Sequence, residues 1–136
     1  MKKVIKVVGG IIVDKDNRIL CTLRKKEKSL GNMWEFPGGK LEKGEAPDEC
    51  IVREIREELE ADIEVVTFLN TIKYSYPTFN LTMHNFICRL KNNHISLLEH
   101  EAAKFVDISE LDKVDFLPAD LLILKELKEY LLNNIL

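Results

Sequence analysis

The segment from Gly38 to Ala61, GGKLEKGEAPDECIVREIREELEA, constrains the chain more than any other. Its two leading glycines and the Pro37 before them break extended structure, because proline offers no donor and glycine admits unusual backbone angles. From Pro47 the pattern becomes helical. Proline suits a first turn, and Asp48 and Glu49 complement the positive end of the helix dipole. Ile51, Val52, Ile55 and Leu59 recur every three or four residues and form one apolar stripe. Such a helix, ending near 59–61, must lay its stripe on a partner layer that the rest of the chain supplies.

The rest reads mostly as strands. Residues 4–13 are a β-branched run, Asp14-Lys15-Asp16-Asn17 a turn, and 18–24 a returning strand, so 4–24 reads as a hairpin. Residues 25–32 form a polar loop, Trp34-Glu35-Phe36 a short β-prone piece, and 40–44 a connection. Further strands are expected over 63–76, 79–90 and 104–108. A last helix is expected over 119–133, with Leu121, Leu124, Leu127 and Leu131 as core positions. This order implies an α+β fold or an α/β/α sandwich around a mixed sheet. No repeat, low-complexity tract or linker divides the chain, so 1–136 reads as a single domain.

Twenty Lys and Arg against 23 Asp and Glu leave a net charge of −3. That argues against a protein that coats nucleic acid, while leaving room for a small phosphorylated ligand held by local charge or metal. Cys21, Cys50 and Cys88 are scattered, with no C-x-x-C pair, and read as buried thiols in a reducing cytoplasm. Lys6 interrupts the apolar run behind Met1-Lys2-Lys3 and no small-residue cleavage site follows, so the run reads as a strand and not a signal peptide. No stretch approaches the ~18 apolar residues of a membrane span.

The chemistry sits on the central helix. Glu54, Glu57 and Glu58 stand at i, i+3 and i+4, so their carboxylates emerge at neighbouring points. Glu54 and Glu58 fall along one edge of the apolar stripe, and Glu57 lies further out. Three clustered carboxylates repel one another unless a hard divalent cation neutralises them, and Mg²⁺ is commonly shared between carboxylates and phosphates. A salt-bridged surface helix has the same look, since Arg53 with Glu57 and Arg56 with Glu60 are i,i+4 pairs of opposite sign.

Spacing tips the balance. From Gly39 the pattern G-x5-E-x7-R-E-U-x-E-E-x-G-U, with U a bulky aliphatic, is met by Gly39, Glu45, Arg53, Glu54, Ile55, Glu57 and Glu58. Trp34-Glu35-Phe36-Pro37-Gly38 stands just ahead. This resembles the Nudix box. Two positions depart: Glu60 replaces the glycine that normally ends the helix in a left-handed turn, and Ala61 replaces the last aliphatic. Over nearly the whole chain the sequence is similar to MutT-type nucleoside triphosphate pyrophosphohydrolases, through Phe79-Asn80-Leu81-Thr82-Met83-His84, Leu98-Glu99-His100-Glu101 and Leu117-Pro118-Ala119-Asp120.

The resemblance implies a Nudix-like α/β/α fold binding Mg²⁺, with Mn²⁺ as the substitute. The implied ligands are Gly38, through its carbonyl, and Glu54, Glu57, Glu58 and Glu99, with Glu101 as the rival on the same loop. Arg53, paired with Glu45, would orient a catalytic carboxylate. Water would attack the β-phosphorus of a nucleoside triphosphate, releasing a monophosphate and pyrophosphate. Glu54 is the first candidate for the proton acceptor and Glu99 the second. Arg24 and Lys40 match basic positions suited to phosphate, and Glu35, Phe36, Phe79 and Leu81, with Met83, are candidate substrate contacts. Asp120 stands where the best-known oxidised-guanine members carry asparagine. An ionised aspartate only accepts, which suits an exocyclic amino group or the protonated N7 of 8-oxo-guanine, and the same residue also reads as the N-cap of the last helix. The implied activity is removal of oxidised or surplus nucleotides such as 8-oxo-dGTP, CTP or dCTP. It would belong to a cytoplasmic monomer or homodimer with no nucleic acid polymer and no membrane as partner. Hydrolysis of nucleotide sugars or dinucleoside polyphosphates, and non-catalytic nucleotide sensing, are the alternatives.

Overall fold

The computed structural model describes residues 2–134. Strand β1 (Lys3–Val13) organises the sheet, because its alternating side chains serve two layers at once. Val8 and Ile12 belong to one apolar cluster, Ile11 and Val13 to the other. The expected hairpin forms: β2 (Ile19–Leu23) returns antiparallel to β1 after a turn in which Asn17 adopts φ 61°. Strand β3 (Trp34–Glu35) pairs with β2, and Gly38–Lys40 forms β4 antiparallel to β1, so extended structure resumes beyond Pro37. Strands β5 (Ile63–Ser75) and β6 (Phe79–Leu90) run antiparallel, β6 lies parallel to β1, and β7 (Ala102–Val106) pairs with β2. The result is a mixed sheet with the order β3-β2-β1-β6-β5.

Helix α1 (Pro47–Leu59) covers one face. Ile51, Ile55 and Leu59 are fully enclosed against Val8, Ile12, Leu20 and Cys88. Burying each such side chain stabilises by roughly 1.5–3 kcal/mol. The short α2 (Pro118–Leu121) and α3 (Leu124–Asn134) cover the other face, where Leu124, Leu127 and Leu131 meet Ile11, Ile19, Ile87 and Phe116. This is the α/β/α arrangement expected. No described helix is long and apolar enough to cross a membrane.

The final helix departs from expectation. It runs in two pieces, because Leu122 N–H donates to Ala119 O and Ile123 N–H to Asp120 O, tight i,i+3 bonds that change the helical phase. Leu121 is therefore turned outward and half exposed, while Ile123 takes the core position. At the end of α1, Glu60 adopts the left-handed conformation, φ 50° and ψ 32°, and its N–H reaches Arg56 O at 3.1 Å. A glutamate thus occupies a geometry that glycine adopts without steric cost. Glu60→Gly is expected to stabilise the fold by about 1 kcal/mol, raising the melting temperature by roughly 3–5 °C. An unchanged or lower melting temperature would refute this.

Candidate active site

Two glycines let β4 and α1 meet. A Cβ on Gly38 would strike the Val8 carbonyl, and one on Gly39 would strike the Glu54 carboxylate. On α1 itself, Glu54 and Glu58 lie inward along the apolar stripe and Glu57 points out, its side chain 55% exposed. This is the arrangement a 3.6-residue turn dictates.

One guanidinium ties these groups together. Arg53 Nε and Nη2 hold the two oxygens of Glu45 at 2.6 and 3.0 Å. Its Nη1 donates to Glu54 Oε1 at 3.1 Å and to Glu57 Oε2 at 2.9 Å. The hydrogen bonds from Arg53 hold Glu45 down to about 2. Glu58 has no such cation. Burial pushes its carboxyl up to about 9, the charges of Glu54, Glu35 and Glu99 add to the rise, and the Gly38 backbone opposes it. Burial also raises Glu54, against the pull of Arg53.

Among the described residues, no three acidic, histidine or cysteine side chains already converge as a metal cluster. The donor chemistry nonetheless fits a hard divalent ion. Glu58 Oε2 is a buried acceptor without a partner among the described residues, beside further carboxylates whose mutual repulsion a cation relieves.

A cavity of about 600 Å³ opens beside these groups. Glu54, Glu57, Glu58, Glu99, Gly38, Gly39 and Lys40 line it, together with Arg24, Glu35, Phe36, Phe79, Leu81 and Asp120. Of the site residues singled out in the sequence, Arg53 and its partner Glu45 stand behind the carboxylates that Arg53 holds, and of the two rivals on the 98–101 loop Glu99 lines the cavity and Glu101 does not. Arg24 is already engaged: Nη1 reaches Glu35 Oε1 at 3.1 Å, and Nε and Nη2 donate to the Ser29 carbonyl.

Asp120 corrects the sequence reading twice. Leu117, not Asp120, occupies the N-cap of α2. The Asp120 carboxylate instead crosses to the residue just after β3, where Oδ2 accepts from Phe36 N–H at 2.9 Å. Burial pushes its carboxyl up to about 8, the Phe36 amide opposing, which favours the protonated form that can donate as well as accept.

Two lining residues carried no periodic signal. His100 Nε2 lies 3.0 Å from Glu35 Oε2, and the Tyr76 hydroxyl accepts from Ala119 N–H at 3.2 Å, anchoring α2. Histidine between two glutamates, and tyrosine at a strand end before Pro77, reveal their partners only on folding.

The raised carboxyls set a pH dependence. A carboxyl raised on folding makes the folded state bind protons that the unfolded chain releases, so stability is full below the unfolded value and is lost as pH rises through the folded one. For Glu58 and Asp120 that window runs from about 4–5 to about 8–9. With a chelator present, the melting temperature is expected to fall between pH 6 and 9. Divalent metal should stabilise more at the alkaline end, where Glu58 ionises. A flat or rising chelator curve would contradict both placements.

A sequence model of the NUDIX domain matches residues 8–126. The chain belongs to the Nudix family. It is 34% identical over 95 residues to an 8-oxo-dGTP diphosphatase of Proteus vulgaris, covering 70% of this chain and 85% of that protein. It is 28% identical over 123 residues to the CTP pyrophosphohydrolase of Escherichia coli K12, covering 90% of each. Among solved structures, the solution structure of the DNA mismatch repair protein MutT, a Nudix hydrolase from methicillin-resistant Staphylococcus aureus 252, superimposes with a TM-score of 0.77 at 40% identity. That match covers 96% of this chain and 99% of that one. This Nudix protein is accordingly a hydrolase.

Proposed function

We propose that this Nudix hydrolase cleaves a (deoxy)nucleoside triphosphate into a monophosphate and diphosphate with Mg²⁺, acting on oxidised or surplus nucleotides. The observation that carries the reading is the buried Glu58 carboxyl beside Glu54, whose Oε2 has no partner among the described residues, in a cavity whose wall also holds Phe36, Phe79 and Asp120. The names of the relatives support both an oxidised guanine and a cytosine nucleotide as substrates.

In this reading Gly38, through its carbonyl, and Glu54, Glu57, Glu58 and Glu99 would hold the divalent ion, which would supply positive charge against the phosphate oxygens and activate water. Glu54 takes the proton as water attacks the β-phosphorus, with Glu99 the second candidate. The bond from that phosphorus to the oxygen bridging the α-phosphorus breaks, and the bridging oxygen leaves on the monophosphate. Arg53 keeps Glu54 aimed. Lys40 and Arg24 face phosphate, and Phe36, Phe79 and Leu81 pack against the base, whose polar edge meets Asp120. Three buried free cysteines support a cytoplasmic setting, and we take 1–136 as one catalytic domain.

The test is pyrophosphate release from a panel of nucleoside triphosphates at millimolar Mg²⁺. No release from any of them rejects the reading. Within the panel, Asp120→Leu is expected to lower kcat/KM for the preferred nucleotide about 10²-fold and to flatten the preference among bases, because it leaves the base edge unpaired. Unchanged discrimination would remove Asp120 from base recognition.

A further inference from the structure

We propose that His100 is a positioning residue of this active site: it clamps the Glu35 carboxylate at the oxygen that Arg24 leaves free, and so fixes the segment carrying Glu99. This rests on the functional reading above. The His100 ring is only 6% exposed, and its Nε2 lies 3.0 Å from Glu35 Oε2. We assign the donor role to Nε2, the ring nitrogen that faces the carboxylate oxygen. Arg24 Nη1 holds the other oxygen, Oε1, at 3.1 Å.

The surrounding chain shows what the clamp secures. Ser96 N–H donates to Leu59 O at 2.7 Å and Leu98 N–H to Glu58 O at 3.2 Å, which ties the segment to the end of α1. Glu101 N–H donates to Leu23 O at 2.9 Å, which ties its far end to β2. Glu99 and His100 sit between these anchors, and the imidazole reaches across to Glu35 on β3. Packing alone does not account for the ring. Its Nδ1 is buried without a partner among the described residues, a penalty that an apolar side chain in the same space would avoid. The ring is kept for what Nε2 holds.

The experiment compares wild type with H100L, H100Q and H100N. Mn²⁺ is titrated into nucleotide-free protein and free ion is followed by electron paramagnetic resonance. Turnover is measured on the nucleotide that wild type cleaves best. H100L is expected to weaken Mn²⁺ binding about 10-fold and to lower kcat about 10- to 100-fold, with KM nearly unchanged. Its melting temperature should not fall, since the orphan nitrogen is gone. H100Q, whose amide nitrogen reaches the place of Nε2, should recover most of both losses, and the shorter H100N should not. Mn²⁺ affinity and kcat of H100L within about twofold of wild type would overturn the proposal. So would a loss that Gln fails to recover while melting temperature falls in parallel in all three variants. If wild type cleaves no triphosphate, the functional reading fails, and the Mn²⁺ titration still decides the role of His100.

Discussion

Glu58→Gln is expected to lower kcat on the order of 10³-fold while leaving the metal-free fold intact. The two halves of this expectation share one cause. Burial holds the Glu58 carboxyl at about 9, so in metal-free protein at neutral pH it is mostly a neutral acid. Glutamine is close to that acid in size and polarity, and the metal-free melting temperature should barely move at pH 7. At pH 9 the variant should be the more stable protein, because it has no buried carboxyl whose ionisation the fold must oppose. What glutamine lacks is the anion that a divalent ion requires, so the metal-induced rise in melting temperature should also shrink. Pyrophosphate release and thermal melts with and without Mg²⁺ check both halves. Turnover within about tenfold of wild type would place the metal elsewhere.

Arg53→Leu is expected to cost about 10²-fold in kcat together with a clear loss of stability. The guanidinium donates hydrogen bonds to three carboxylates at once, with Glu42 a fourth at 3.7 Å, and Glu45 takes two parallel donors from it. Removing it leaves Glu45, Glu54 and Glu57 repelling one another and lets Glu54 leave its place against Gly39. Lysine should not rescue the loss, because a single ammonium cannot reproduce the fork that meets both oxygens of Glu45. Excess Mg²⁺ should not rescue it either if the defect is one of aim. Wild-type kcat in Arg53→Lys would reduce Arg53 to a source of positive charge.

Much of this site was readable along the chain, because a helix turns residue spacing into position. Glu54 and Glu58 had to fall beside the stripe of Ile51, Ile55 and Leu59, and Glu57 had to fall outside it. The same rule failed at the C-terminus. Leu121 shares the spacing of Leu124, Leu127 and Leu131, yet the i,i+3 bonds after Ala119 shift the phase and place Ile123 inside instead. The departure at Glu60 was visible as a wrong residue type in a left-handed turn, and the backbone adopted that turn regardless.

Asp120 and His100 mark the boundary of what periodicity and spacing can say. The first contacts Phe36, 84 positions away, and the second contacts Glu35, 65 positions away. The one-dimensional pattern was sufficient for the sandwich, the central helix and its acidic edge, since each depends on neighbours within a few residues and on which face is apolar. Proton affinities, the Arg24–Glu35–His100 contacts and the reach of Asp120 to Phe36 came from assembly. They depend on how much water is excluded and on which distant groups are brought within 3 Å, and packing of the whole sheet sets both.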